Sequence, residues 1–210
     1  MNKNTLSQLF LITILISPIA FTNEFSAMTL NVDNLFDTLD DKNKDDKAYL
    51  PIEAKTSKKH KKSCNNIKVK SWKNECLFLD WDIETKNVKL KNLATSIISY
   101  DKNGADIVAL QEVENLNILN QLFDLLEPYG YQDLMLIEGK DYRGIDTALI
   151  SKYKILDAKL HYITFSGKFE GKDTRPILDA TIDVNGSKVK IYNVHFPSGF
   201  HDVSMRIDSL

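Results

Sequence analysis

The stretch Ala105-Asp106-Ile107-Val108-Ala109-Leu110-Gln111-Glu112-Val113 decides how the rest of the chain is read. From Ala105 to Leu110 it is a short apolar run of the kind found in a buried strand, and two polar residues follow at its end. On its N-terminal side, Leu90, Leu93, Ala94, Ile97 and Ile98 recur at helical spacing, which predicts an amphipathic helix over 87–100. On its C-terminal side Asn115 is a good N-cap, and Leu116, Leu119, Leu122, Phe123 and Leu126 share one helical face. Further upstream, Met28, Leu30 and Val32 alternate with Thr29 and Asn31, so 25–32 reads as a strand with one buried face. The order is strand, helix, strand, helix.

After Gly130 the pattern changes to successive short strands over 131–137, 145–150, 155–163, 177–184 and 188–195. The last two are joined by Asn185-Gly186, the strongest short hairpin signal. This order predicts an α/β layered sandwich with two mixed β-sheets rather than a purely parallel doubly wound fold. No internal repeat is visible.

The chain has 210 residues, 43% of them hydrophobic and 27% charged, enough for one domain with a substantial core. A net charge of -2 argues against a broad basic surface that grips nucleic acid by charge alone, but not against an enzyme that meets a polyanion through a metal ion. The first glycine is Gly104, so everything before it turns on Asp, Asn and Pro. Residues 37–74 are crowded with Asp and Lys, show neither strand nor helix period, and read as a long solvated surface loop.

Residues 1–22 read as a secretory signal peptide: Lys3 supplies the positive region, Leu9 to Ala20 is uncharged and apolar, and cleavage is placed between Ala20 and Ala27. The apolar run is short of a bilayer span and contains Pro18, so a permanent membrane anchor is the weaker alternative. The expected location is secreted or periplasmic, without stable membrane insertion after cleavage. There a bridge between Cys64 and Cys76, the only cysteines, would persist. Two free thiols remain the alternative. Zinc is less well supported, since His60 is the only nearby histidine and no CxxC spacing exists.

Three polar residues stand where strands end. Asn31 is either a turn former or an amide aimed into a site. Glu112 is either a helix-capping acid or a ligand for a hard cation such as Mg2+. His195, where Val189 to Val194 opens into Phe196-Pro197-Ser198-Gly199, is either structural or a general acid and oxyanion donor.

Taken in order, Asn31-Val32, the 106–113 segment Asp-Ile-Val-Ala-Leu-Gln-Glu-Val, Gly144-Ile145-Asp146-Thr147-Ala148-Leu149-Ile150-Ser151 and Asn193-Val194-His195 resemble the first four signatures of the endonuclease/exonuclease/phosphatase, or deoxyribonuclease I-like, superfamily. The resemblance covers residues 25–210. It implies that Glu112 holds a catalytic Mg2+ or Mn2+ with Asn31 beside it. It further implies that His195 donates to the phosphoryl oxygen, and that Arg175, in Thr174-Arg175-Pro176, grips a phosphate unless it makes a surface ion pair. Asp33 and Asp146 are left outside the site, as turn and cap residues.

The implied activity is that of a monomeric, metal-dependent nuclease acting on DNA or RNA. Relatives in that superfamily continue into Gly-Asp-x-Asn and Ser-Asp-His segments, and neither occurs in this sequence. The expectation is therefore a partial domain over 23–210. The alternatives are a non-catalytic remnant or a sphingomyelinase-like phospholipid phosphodiesterase, the latter without a clear aromatic hairpin to support it.

Overall fold

Strand β1 (Ala27–Leu35) lies parallel to β2 (Ile107–Val113), with Leu30 opposite Leu110 and Asn31 opposite Gln111. A parallel pair needs a long crossover. The chain between them supplies it with helix α3 (Ile83–Ser99), preceded by two shorter helices, α1 (Lys58–Asn65) and α2 (Lys70–Phe78). The computed structural model describes residues 24–172 and 174–209, so the leader expected at 1–22 lies outside the described residues.

The four-stranded sheet runs β1-β2-β4-β3, with β3 (Asp133–Leu136) and β4 (Asp146–Ser151) antiparallel to their neighbours, and is mixed as expected. A second sheet of β5 (Lys154–His161), β6 (Ile177–Val184) and β7 (Ser187–Asn193) is antiparallel among the described strands. Asn185 (φ 52°) and Gly186 (φ 86°) both take the left-handed conformation that a tight β6–β7 hairpin requires.

Alternation along β2 explains the layering. Val108, Leu110 and Val113 face α3 and α4 (Leu116–Leu126), packing on Leu90, Ala94, Ile97, Ile118, Leu119, Leu122 and Leu126. Ile107 faces the second sheet with Leu149, against Leu178, Ala180, Ile182 and Val184. Both faces of β2 are covered, so its sequence is a continuous apolar run. Replacing fully buried Leu110 by Ala would cost about 2–5 kcal/mol.

The helix starts follow from capping. Asn115 Oδ1 accepts from Ile118 N at 3.0 Å, as the sequence predicts for α4. Helix α3 starts at Ile83, earlier than the expected 87, because Asp82 caps it by accepting from Thr85 N at 2.7 Å. Its first turn carries the exposed Ile83 and buries Lys86 rather than an apolar residue, so it adds nothing to the apolar period. Gly104 (φ 78°) sits where a Cβ would come within 2.4 Å of the Tyr131 hydroxyl, which itself donates to Ala105 O.

The segment 37–74 differs from the expected surface loop. It contains α1, the beginning of α2 and a 3-10 turn (Ile52–Thr56). The Cys64–Cys76 disulfide ties α1 to α2. Lys55 is 2% exposed, and its Nζ donates to the carbonyls of Leu79 at 2.6 Å, Ala48 at 2.7 Å and Glu75 at 3.3 Å. A disulfide and a buried ammonium hold this region, so no repeating apolar face betrays its helices. Among the described residues no helix is long and apolar enough to cross a membrane.

Candidate active site

The pairing of β2 with β4 shifts register between Gln111 and Val113, and Glu112 takes φ 69° at that point. A non-glycine residue held there costs about 1–3 kcal/mol, and such bulges re-aim a side chain at a strand end. Beside it, the β1–β2 register is irregular between Asn31 and Leu35, where Asp33 (φ 52°) and Asn34 (φ 61°) are also left-handed. Both irregularities converge on one carboxylate. Glu112 Oε1 accepts from Asn31 Nδ2 at 3.1 Å, and Oε2 accepts from Asn34 N at 3.0 Å.

Asn31 is both things its sequence context allowed. Its Oδ1 accepts from Asp33 N at 2.8 Å, forming the turn, while its amide nitrogen reaches Glu112. Asp33 is a turn residue as read.

His195 lies two residues beyond the end of β7, with Nε2 3.3 Å from Glu112 Oε1. Arg175 flanks the ring: its Nε donates to His195 Nδ1 at 3.2 Å, and one terminal nitrogen lies 3.1 Å from Nε2. With Nδ1 accepting from Arg175 Nε, the tautomer that carries its proton on Nε2 suits the side that faces Glu112. The hydrogen bond from His195, joined by those from Asn31 and the Asn34 backbone, outweighs burial and holds the Glu112 carboxyl down at about 2. Arg175 is not a surface residue. Its side chain is 11% exposed, and its other terminal nitrogen is 3.7 Å from Asp141 Oδ2. Asn31, Glu112, His195 and Arg175, widely separated in sequence, thus form one connected group.

Several residues support this group in roles that the sequence did not assign to them. Asn193 Oδ1 accepts from Gln111 Nε2 at 2.6 Å, and its Nδ2 donates to Leu110 O and Ala148 O at 2.8 and 2.9 Å. The strand that leads to His195 is thereby fastened to the strand end that carries Glu112. Lys89, on α3, donates to Asp33 O and brings a cation to the edge of the site. Its position on a helix face gives no hint of this.

Asp146 departs from its reading as a cap or turn residue. It opens β4, is 2% exposed, accepts from Gly139 N at 2.9 Å through Oδ1, and leaves Oδ2 without a partner. A Cβ on Gly139 would come within 2.6 Å of that Oδ1, so the close approach needs glycine. Burial, opposed by the Gly139 N–H, pushes Asp146 up to about 6.

A family model described as Endonuclease/Exonuclease/phosphatase family matches residues 78–203, more than half of the chain. No curated protein matches it. Among solved structures, the chain is similar to an endonuclease/exonuclease/phosphatase family protein from Leptotrichia buccalis C-1013-b, at 20% identity over 60% of this chain and 55% of that one, with a TM-score of 0.40. A humanized TDP2 of D. rerio matches at 16% identity over 90% of this chain and 57% of that one, with a TM-score of 0.47. A β-hairpin deletion mutant of beta toxin from Staphylococcus aureus matches at 16% identity over 87% of this chain and 54% of that one, with a TM-score of 0.45. The chain spans about half the length of the solved structures it matches.

Proposed function

Because this chain belongs to the endonuclease/exonuclease/phosphatase family, we propose that it works as a metal-dependent phosphodiester hydrolase acting on nucleic acid outside the cytoplasm. The observation that carries this reading is the convergence of Asn31, Glu112, His195 and Arg175 through contacts of 3.1–3.3 Å. A phosphodiester resists attack because its oxygens are already anionic, so a catalyst must neutralise charge and deliver a proton donor.

The donor set fits a hard divalent cation. Glu112 is kept ionised, its Oε2 carries a single hydrogen bond and so retains lone-pair capacity, and the Asn31 amide stands beside it. Glu112 and Asn31 would hold Mg2+ or Mn2+. When bound, such an ion supplies charge neutralisation at phosphate oxygens and a more acidic water. His195, protonated on Nε2, serves as the donor to a phosphoryl oxygen. Arg175 orients the ring through Nδ1 and adds positive charge for the phosphate. Lys89 contributes a further cation at the rim. The extracytoplasmic location is supported by the leader pattern of residues 1–22 and by the Cys64–Cys76 disulfide, a bond that persists in oxidising compartments.

The test is a parallel assay of the purified chain on single-stranded DNA, duplex DNA, RNA and sphingomyelin vesicles, with Mg2+, Mn2+ or EDTA. Cleavage of a nucleic acid that EDTA abolishes is the expected result. Cleavage confined to sphingomyelin would replace the substrate class, and no EDTA-sensitive cleavage of any substrate would leave the non-catalytic reading.

A further inference from the structure

A second set of acids lies beyond the ends of β1 and β2 and has no part in the group around Glu112. Asp37 N donates to Glu114 Oε2 at 2.7 Å, and Asp41 N donates to Asp46 Oδ2 at 2.7 Å, so each carboxylate has one oxygen held by backbone. The other oxygens, Glu114 Oε1 and Asp46 Oδ1, are buried and have no hydrogen-bond partner. These residues are 3% and 1% exposed. Asp41, Asp46 and Glu114 each offer a carboxylate oxygen, and the three oxygens lie within 4.8 Å of one another.

Among the described residues, no ion pair includes Asp37, Asp41, Asp46 or Glu114. The neighbouring donors are neutral amides: Asn115 Nδ2 to Asp41 Oδ2 at 3.2 Å and to Asp37 Oδ2 at 3.3 Å, and Asn117 Nδ2 to Asp37 Oδ2 at 2.7 Å. Buried carboxyl groups in proteins are paired, coordinate a metal or are neutralised by a proton, and in the absence of a cation burial pushes both Glu114 and Asp46 upward. Hydrogen bonds from amides do not cancel charge on this scale.

We propose that Asp41, Asp46 and Glu114 form a calcium site, separate from the centre at Glu112. Calcium takes oxygen ligands at about 2.3–2.6 Å, so any two oxygens on one ion stand no more than about 5 Å apart, a condition that three oxygens within 4.8 Å of one another meet. Calcium accepts an irregular set of carboxylate oxygens, whereas the rigidly octahedral Mg2+ usually keeps several waters and binds through one or two carboxylates. A calcium ion there joins the segment after β1 to the end of β2 and to the N-terminus of α4. The same segment leads from Phe36 to Tyr49, whose stacked rings meet Trp81, so the ion stiffens one wall beside the catalytic group.

The experiment uses the full chain and reads metal binding rather than activity. Terbium serves as a calcium probe, excited through tryptophan. Trp81 Nε1 donates to Phe36 O, one residue from Asp37, which places an antenna near the site. Terbium is added to the wild type, to Glu112→Gln and to the double variant Asp46→Asn/Glu114→Gln, with thermal unfolding followed in calcium and in EDTA. The sensitised signal, its displacement by calcium and the calcium-dependent rise in Tm should all survive Glu112→Gln. In the double variant the signal should fall about tenfold or more, with a Tm in EDTA at or above that of the wild type, because buried like charges have been removed. Asp41→Asn, at a partly exposed position, keeps the test intact if the double variant fails to fold, and should weaken terbium binding in the same direction. The proposal is overturned if wild type and Glu112→Gln show no saturable signal displaced by calcium, or if the signal survives removal of these acids and disappears with Glu112.

Discussion

The side-chain oxygen of Asn193 accepts from Gln111 Nε2 at 2.6 Å, while the Asn193 amide nitrogen donates to Leu110 O and Ala148 O. One buried amide thus joins β7 to the ends of β2 and β4, and sets the distance between His195 and Glu112. Asn193→Ala leaves two carbonyls and the Gln111 amide short of partners in the core. Each unsatisfied buried group costs about 1–3 kcal/mol, so a loss of about 2–4 kcal/mol is expected in denaturant unfolding after partial relaxation. Asn193→Asp loses donors but keeps the acceptor, and should fall by a similar or larger amount. A stability unchanged by Asn193→Ala would show that the two sheets are aligned by packing alone.

Asp146 gives a pH signature with a definite sign. Burial raises its carboxyl from 3.8 to about 6 in the folded state, so the neutral acid is favoured by folding. That contribution is fully present below about 3.8 and is lost as pH rises through about 6. Relative to the wild type, Asp146→Asn should therefore gain stability between pH 3.5 and pH 8, by up to about 3 kcal/mol, whatever constant offset the amide introduces. Urea unfolding of both proteins at the two pH values measures it. A difference that stays flat across that range contradicts a buried, elevated carboxyl.

Reduction of Cys64–Cys76 tests how the helical segment before α3 is held. The bridge closes a short loop, and the chain-entropy argument gives about 3 kcal/mol for loops of this order. After reduction, amide exchange should accelerate across α1 and α2 while β2 amides remain protected. Equal acceleration in β2 would show that this segment and the sheet unfold as one unit.

Different kinds of information made different parts of the fold readable. Helix α4 and strand β2 show in the sequence because burial imposes a period on them, and the β6–β7 hairpin shows because Asn185-Gly186 answers a backbone demand. Helices α1 and α2 do not, since their buried residues are Cys64 and Cys76 and their other anchor is the Lys55 ammonium. Asn31, Glu112 and His195 could be marked as polar residues at strand ends, but nothing local says that they meet. Lys89, and the tethering role of Asn193 within its Asn-Val-His signature, are visible only once α3 and β7 are docked. The pairing of Arg175 with His195, and the unpartnered oxygens of Asp46 and Glu114, likewise depend on long-range placement.

Single-turnover cleavage of single-stranded DNA or RNA by the purified chain, repeated with Glu112→Ala and His195→Ala, tests the central claim most directly. Cleavage that requires Mg2+ or Mn2+, with each substitution lowering the rate by at least about 10²-fold and leaving the fold intact by circular dichroism, is the predicted result. Cleavage that continues in EDTA, or that survives Glu112→Ala unchanged, would contradict it.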